Sequence, residues 1–176
     1  QANSTGDFNA FFGSRSGFAN TSGNNNSFFG EAPGSNNDSG TYNTFIGKSA
    51  GSNNISGDDN TFIGGSANFS VGVTNGNNNT LIGAKTQVTV NNLQYGAAIG
   101  AGATVSTSNT IVLGRSDGSD TVLAPGNITT NGNAQIDGDA QIDGDARIVG
   151  NFRTNGTARI DGNTRIFGML VVDQLD

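Results

Sequence analysis

The chain has 176 residues, including 28 Gly, 26 Asn and 2 Pro, with 33% hydrophobic and 12% charged positions and no His, Cys or Trp. Those absences exclude Ser-His-Asp and Cys-His nucleophiles, His/Cys zinc sites and thiol redox pairs, and 39 Leu, Ile, Val and Phe sit just above the roughly 20% level below which a packed core fails. Fourteen acids against eight bases, seven and four on each side of residue 125, give a net charge of −6, which argues against nucleic acid and anionic membrane as partners; no apolar run is long enough to insert into a bilayer.

Low apolar content with abundant Gly and Asn fits either disorder or a repeat solenoid, and periodicity separates the two. From the N-terminus a motif N-x-φ-φ-G, where φ is apolar, recurs at 9–13, 26–30, 43–47, 60–64 and 79–83, with looser copies at 96–100 and 109–114. The closing glycines, Gly13 to Gly114, are 17, 17, 17, 19, 17 and 14 residues apart, one solenoid coil each. Gly/Ser/Asn clusters such as 22–26 and 75–79 lie between them and suit tight turns and left-handed backbone angles. Each coil is predicted to run strand, turn, strand, turn.

Every copy carries two consecutive large or apolar residues: Phe11/Phe12, Phe28/Phe29, Phe45/Ile46, Phe62/Ile63, Leu81/Ile82, Ala98/Ile99 and Val112/Leu113. Strand neighbours point to opposite faces. One member of each pair can fill the coil interior, and the other forms an apolar ladder outside that needs a cover. Another copy of the chain is the expected cover; the competing reading is that the chain's own connections supply it. The 19-residue spacing from Gly64 to Gly83 and the irregular turns 65–78 and 84–95 make Val71, Val73 and Thr74 a possible surface contact, or a drifted turn.

Beyond Ala124, Pro125 and Gly126 the rhythm changes, and Gly recurs every six residues from Gly126 to Gly168. The second and fourth positions after each Gly are mostly small or apolar, bringing Ile136, Ile142, Ile148, Ile160 and Ile166 onto one face of a period-two pattern. Eighteen residues make one triangular coil, so a single chain of this length has two open ends and hardly any middle. Three intertwined chains would close the axis instead and extend it to roughly 33 Å at about 4.8 Å per strand, against about 29 Å for the first region. The expected organisation is therefore a solenoid head at 1–125 and a stem at 126–176.

Arg147, Arg153, Arg159 and Arg165 form an outward column in the hexads, read as an anion-binding stripe or as a solvated face with exposed ion pairs. Asp137, Asp139, Asp143 and Asp145 could hold calcium between chains, although no EF-hand or nonapeptide signature is present. Asp58/Asp59 and Asp117/Asp120 could flank a polysaccharide-cleaving groove, or be ordinary turn residues. The single Thr column Thr44, Thr61 and Thr80 lacks the pairing that a flat ice-binding array needs. No catalytic, cofactor-binding or metal residue is assigned, and no cofactor is expected.

The N-T-F-I-G coils and the closing Asn109 to Gly114 segment resemble the head repeats of YadA-type trimeric autotransporter adhesins, and the G-N-A-x-I-D hexads are similar to trimeric tail fibres of phages and phage-like contractile systems. The resemblance covers 8–114 and 126–172. It implies an all-β homotrimer, with a parallel left-handed β-roll head followed by an intertwined triple β-helix stem. The chain departs from the adhesins in lacking a heptad stalk and a membrane-barrel anchor, and from the fibres in lacking a C-terminal chaperone domain; it is expected to be a segment of something longer or a subunit held by partners. The hexads also fit the acyltransferase hexapeptide pattern, but those enzymes work with a His base and this chain has no His. The expected role is a non-enzymatic, extracellular or virion-borne fibre attaching to cells or surfaces, with a cell-surface or glycan receptor as the possible partner. The alternatives are a structural filament without a receptor and a polysaccharide-cleaving tailspike.

Overall fold

The computed structural model describes residues 3–68, 75–135 and 141, and the chain divides into two units, Gln1–Asn127 and Ile128–Asp176. The first unit is a parallel β-solenoid of about six turns. Seven motif strands stack in one sheet: β1 (Ala10–Phe12), β2 (Ser27–Phe29), β3 (Thr44–Ile46), β4 (Thr61–Ile63), β5 (Thr80–Ile82), β7 (Ala97–Ile99) and β9 (Ile111–Leu113). A second sheet pairs β6 (Gln87–Val88) with β8 (Thr104–Val105). Among the described residues there is no helix, and so none long and apolar enough to cross a membrane.

The register follows the repeat without slippage. Phe11, Phe28, Phe45, Phe62, Leu81, Ala98 and Val112 lie opposite one another in successive strands, as do Phe12, Phe29, Ile46, Ile63, Ile82, Ile99 and Leu113. The first member of each pair points inward. Phe28, Phe45, Phe62, Leu81 and Ala98 are buried, with Phe11 and Val112 partly buried against them. Ring centroids of successive interior Phe are 5.0, 4.7 and 4.9 Å apart and within 12° of parallel, matching the spacing of paired strands.

Two glycine columns make so narrow an interior possible. Gly51 lies across the coil from Phe45, where a Cβ would come within 2.5 Å of the ring. Gly47 ends β3 at φ +128, and a Cβ there would be 2.7 Å from the carbonyl of Gly64 in the next coil. Where the column changes from Phe62 to Leu81 and Ala98, the lost volume is taken up by Val88, Leu93, Ala103 and Val105, all buried in the same cluster.

The turns are stacked as regularly as the strands. Gly17 N–H donates to Pro33 C=O at 3.0 Å, Ala19 N–H to Ser35 C=O at 3.1 Å, and Asn25 N–H to Asp7 C=O at 3.0 Å. Backbone pairing from one coil to the next therefore continues through the Gly/Asn/Ser segments, so a chain with few apolar residues still satisfies its buried amides. The Asn residues themselves depart from the turn-former reading. Asn26, Asn43, Asn60 and Asn79 are buried, and each receives its place from a side-chain ladder.

In that ladder the backbone N–H of Asn26, Asn43, Asn60 and Asn79 donates to Oδ1 of the preceding motif Asn at 2.9, 2.9, 3.0 and 3.0 Å. The ladder ends where Gly96 N–H donates to Asn79 Oδ1. The other half of each amide spans the coil: Asn26 Nδ2 donates to Gly40 C=O, and Asn43 Nδ2 to Gly57 C=O, both at 2.8 Å. A second ladder links Asn54 Nδ2 to Asn37 Oδ1 and Asn37 Nδ2 to Asn20 Oδ1, each at 2.8 Å.

Of the second unit, 128–135 and 141 are described and are exposed. Ile136, Ile142, Ile148, Ile160, Ile166, the arginines Arg147, Arg153, Arg159 and Arg165, and the aspartates Asp137, Asp139, Asp143 and Asp145 lie outside the described residues. So do Val71, Val73 and Thr74.

Candidate functional surfaces

Three surfaces of the solenoid combine accessibility with a defined shape. The first is the outward column of the sheet. Phe12, Phe29, Ile46, Ile63, Ile82, Ile99 and Leu113 are between 36 and 74% exposed. Their partners in each pair, Phe11, Phe28, Phe45, Phe62 and Leu81, occupy the interior or its open edge. The alternation is set by the strand itself: Thr44, Thr61 and Thr80 share the outward face two residues before each Ile. Thus the outer sheet face reads T-x-I in three successive coils, and the Thr that the sequence singles out stand beside an apolar stripe.

The second surface is a polar pocket of about 310 Å3 lined by Ser56, Asn75, Gly76, Asn77, Asn92 and Gln94. Asn75, Gly76 and Asn77 come from the C-terminal side of the first irregular turn, Asn92 and Gln94 from that of the second, and Ser56 from the coil before them. Its walls are held by backbone bonds: Asn77 N–H donates to Leu93 C=O at 3.1 Å, Tyr95 N–H to Asn77 C=O at 3.2 Å, and Asn92 N–H to Asn75 C=O at 2.5 Å.

The third is an open apolar pocket of about 520 Å3 at the last coil, whose lining includes Ile99, Ala101, Leu113, Arg115, Asp120 and Val122. Its rim is braced by an exposed ion pair. Asp120 accepts from Arg115 Nη2 at 2.9 Å and Nε at 3.1 Å, and from the Arg115 backbone N–H at 2.6 Å. Those charge-assisted bonds hold the Asp120 carboxyl at a pKa of about 2 and raise the guanidinium of Arg115. Asp117 is lowered by hydrogen bonds from the hydroxyl and backbone N–H of Ser119.

Comparison of the chain with protein-family models, with curated proteins and with solved structures finds no match in any of the three. Its chemistry is therefore read from its own side chains.

The carboxylates considered for polysaccharide cleavage serve local roles. Asp58 Oδ1 accepts from the backbone N–H and the hydroxyl of Thr41 at 2.7 and 2.9 Å, linking adjacent coils, while Asp117 and Asp120 organise the turn after β9. Glu31 pairs with Lys48 at 3.0 Å across one coil, with both side chains largely in solvent, a geometry worth about 0–1 kcal/mol.

The left-handed backbone expected in the Gly/Ser/Asn clusters is found at Asn25 and Asn78, and it also falls on Phe8, Tyr42, Asp59 and Tyr95. The residue two positions before each strand of the seven-stranded sheet adopts left-handed backbone: Phe8, Asn25, Tyr42, Asp59, Asn78, Tyr95 and Asn109 all have φ between +54 and +59. Asn is at home there, but a bulky aromatic is disfavoured, by roughly 1–2 kcal/mol. Tyr42 and Tyr95 are 61 and 58% exposed, so burial of the rings in this chain does not offset that cost. The usable signal was the seven-fold recurrence of one position whose occupants share no polarity, which marks a conserved backbone angle rather than a side-chain role.

Proposed function

We propose that this chain is a non-enzymatic subunit of a homotrimeric fibre that projects from a cell or virion-like particle and attaches it to other surfaces. The observation that carries the reading is the uninterrupted outward apolar column from Phe12 to Leu113. A ladder of seven partly exposed apolar side chains is a contiguous stripe of the kind that marks an interface, unlike scattered surface hydrophobics. A flat T-x-I array repeated at one strand spacing is best matched by a surface with the same repeat, and another copy of the chain carries one. The hexads after Gly126 favour three copies, because three strands per layer would close their apolar face and pair every edge. The resemblance of the N-T-F-I-G coils to trimeric adhesin heads supports the same stoichiometry, a left-handed coil and an extracellular location.

Sedimentation equilibrium tests the assembly, with three times the chain mass expected. Changing Ile46 and Ile63 together to Asp should yield a monomer that keeps its β circular dichroism, since both side chains lie outside the coil. A wild-type monomer with full β content, or a double variant that remains trimeric, would overturn the interface. Attachment is tested with fluorescently labelled trimer on epithelial and on bacterial cells. Retention on neither would leave a filament without a receptor and refute the attachment role.

A further inference from the structure

The outward apolar column does not end at the last strand. Ile99 and Leu113, its final two members, are 40 and 50% exposed, and both also line the open pocket of about 520 Å3 at the last coil. A cover laid along the column therefore meets this pocket at its end. The chain leaving the pocket is directed by Asp120, whose carboxylate accepts from the backbone N–H and the guanidinium of Arg115 and so closes the turn 115–120. Val122 then contributes to the pocket wall while remaining 60% exposed, and Leu123, the next residue, stands outside the lining at 83% exposure.

Each copy thus presents both halves of a contact that it leaves open within itself: an apolar hollow with room beside Val122, and a Leu one residue beyond its wall. A second copy is the occupant these features select over a foreign apolar segment, because the complementary side chain is encoded at a fixed place next to the hollow, and because the hollow continues the column that another copy covers. A contact in which the Leu of each copy enters the hollow of the next is heterologous, and three copies about one axis close it into a ring. Each seat takes the Leu and the Ile99 and Leu113 walls out of water together, whereas a single chain leaves all three wet. The charges at the rim allow this. Arg115 Nη2 and Asp120 Oδ1 are 2.9 Å apart, so an entering aliphatic side chain covers a pair that is already matched rather than an isolated charge.

We infer that the hollow at the last coil, walled by Ile99, Ala101, Leu113 and Val122, is an intersubunit socket that receives Leu123 of a second copy of the chain, each copy filling the socket of its neighbour. This rests on the trimer reading and names where one copy grips the next. The chain has no Cys, so introduced thiols report one contact at a time. Full chains of Ala101→Cys and Leu123→Cys, carrying different affinity tags, are co-expressed, purified through both tags and treated with a short bismaleimide. A covalent dimer bearing both tags is expected on a denaturing gel. Asn36→Cys, in the turn between β2 and β3, should give none when paired in the same way with Leu123→Cys. In sedimentation equilibrium Leu123→Asp should raise the concentration at which the trimer half-dissociates by about tenfold or more, whereas Leu123→Met, of similar volume, should stay within about threefold of wild type. Both variants should keep the β circular dichroism of wild type, because Leu123 lies outside the coil interior. A trimer in which the Ala101/Leu123 pair yields no more product than the Asn36/Leu123 pair, or in which Leu123→Asp dissociates at the wild-type concentration, would overturn the socket and leave the trimer standing. A wild-type chain that sediments as a monomer would remove both.

Discussion

Replacing Asn43 with Ala is the most direct probe of what holds the coils together. Asn43 is fully buried, and its amide serves two neighbours: Oδ1 accepts the backbone N–H of Asn60 at 3.0 Å, and Nδ2 donates to Gly57 C=O at 2.8 Å. Gly57 C=O keeps a second donor, Asn54 Nδ2 at 2.9 Å, so that loss amounts to one ordinary bond, about 0.5–1.5 kcal/mol. The Asn60 N–H loses its acceptor inside the coil, which costs about 1–3 kcal/mol. Together the substitution should destabilise by about 1.5–4.5 kcal/mol, lowering the melting temperature by roughly 3–18 °C for a chain of this size. Asn36, exposed in a turn, is the control, and its change to Ala should stay within about 0.5 kcal/mol.

Asn43→Asp sharpens the test through its pH dependence. A protonated carboxyl can replace both halves of the amide, but an ionised one sets acceptor against acceptor at Gly57 in a buried site, so its folded pKa must rise above the unfolded value of about 3.9. Its destabilisation is therefore small below about pH 4 and grows as pH rises until the folded pKa is passed. The assay is thermal melting by far-UV circular dichroism, each variant compared with wild type at the same pH. If Asn43→Ala melts alongside Asn36→Ala, or if the Asn43→Asp deficit does not widen with pH, the amide ladder does not stabilise the coil.

Gly47→Ala should destabilise by about 1–3 kcal/mol or more, because the added Cβ meets the Gly64 carbonyl at a backbone angle reserved for Gly; Gly65→Ala, where a Cβ meets nothing within 4 Å, should melt near wild type. In a carboxyl NMR titration Asp120 should show a midpoint of about 2, and Arg115→Gln should move it upward toward the ordinary 3.9 or so. Since that pKa is depressed on folding, the link between Asp120 and Arg115 is present above about pH 4 and is lost as pH falls toward 2; a midpoint near 4 in the wild type would refute the bidentate geometry.

How far the fold could be read in advance differs from residue to residue. The recurrence of Gly13, Gly30, Gly47 and Gly64 at 17 residues was enough to define the coils and their register, because parallel pairing of equal-length coils leaves one alignment that stacks like on like. The pairing of Phe45 with Ile46 showed that each strand must have an inner and an outer apolar residue, but not which was which. The candidate site was less legible. Val71, Val73 and Thr74 were singled out by the extra length of their coil, whereas the pocket in the same region is built from Ser56, Asn75, Asn77, Asn92 and Gln94, residues drawn from three coils and individually indistinguishable from turn formers.

The sequence by itself determined the period, the parallel stacking and the presence of an outward apolar stripe, since these follow from spacing and from the two-residue alternation of a strand. Only the tertiary structure decided the direction of the side chains around the corners. A coil turns at residues in left-handed backbone, and Tyr42, Asp59 and Tyr95 take that angle as Asn25 and Asn78 do, so no residue type announces where the chain bends. That bend turns Asn26, Asn43 and Asn60 inward, where one amide can meet the next only because another coil lies a strand's spacing away. An interaction between residues 17 positions apart has no local trace: the same Asn that would favour a turn in an isolated peptide becomes a buried rung once its neighbours are stacked.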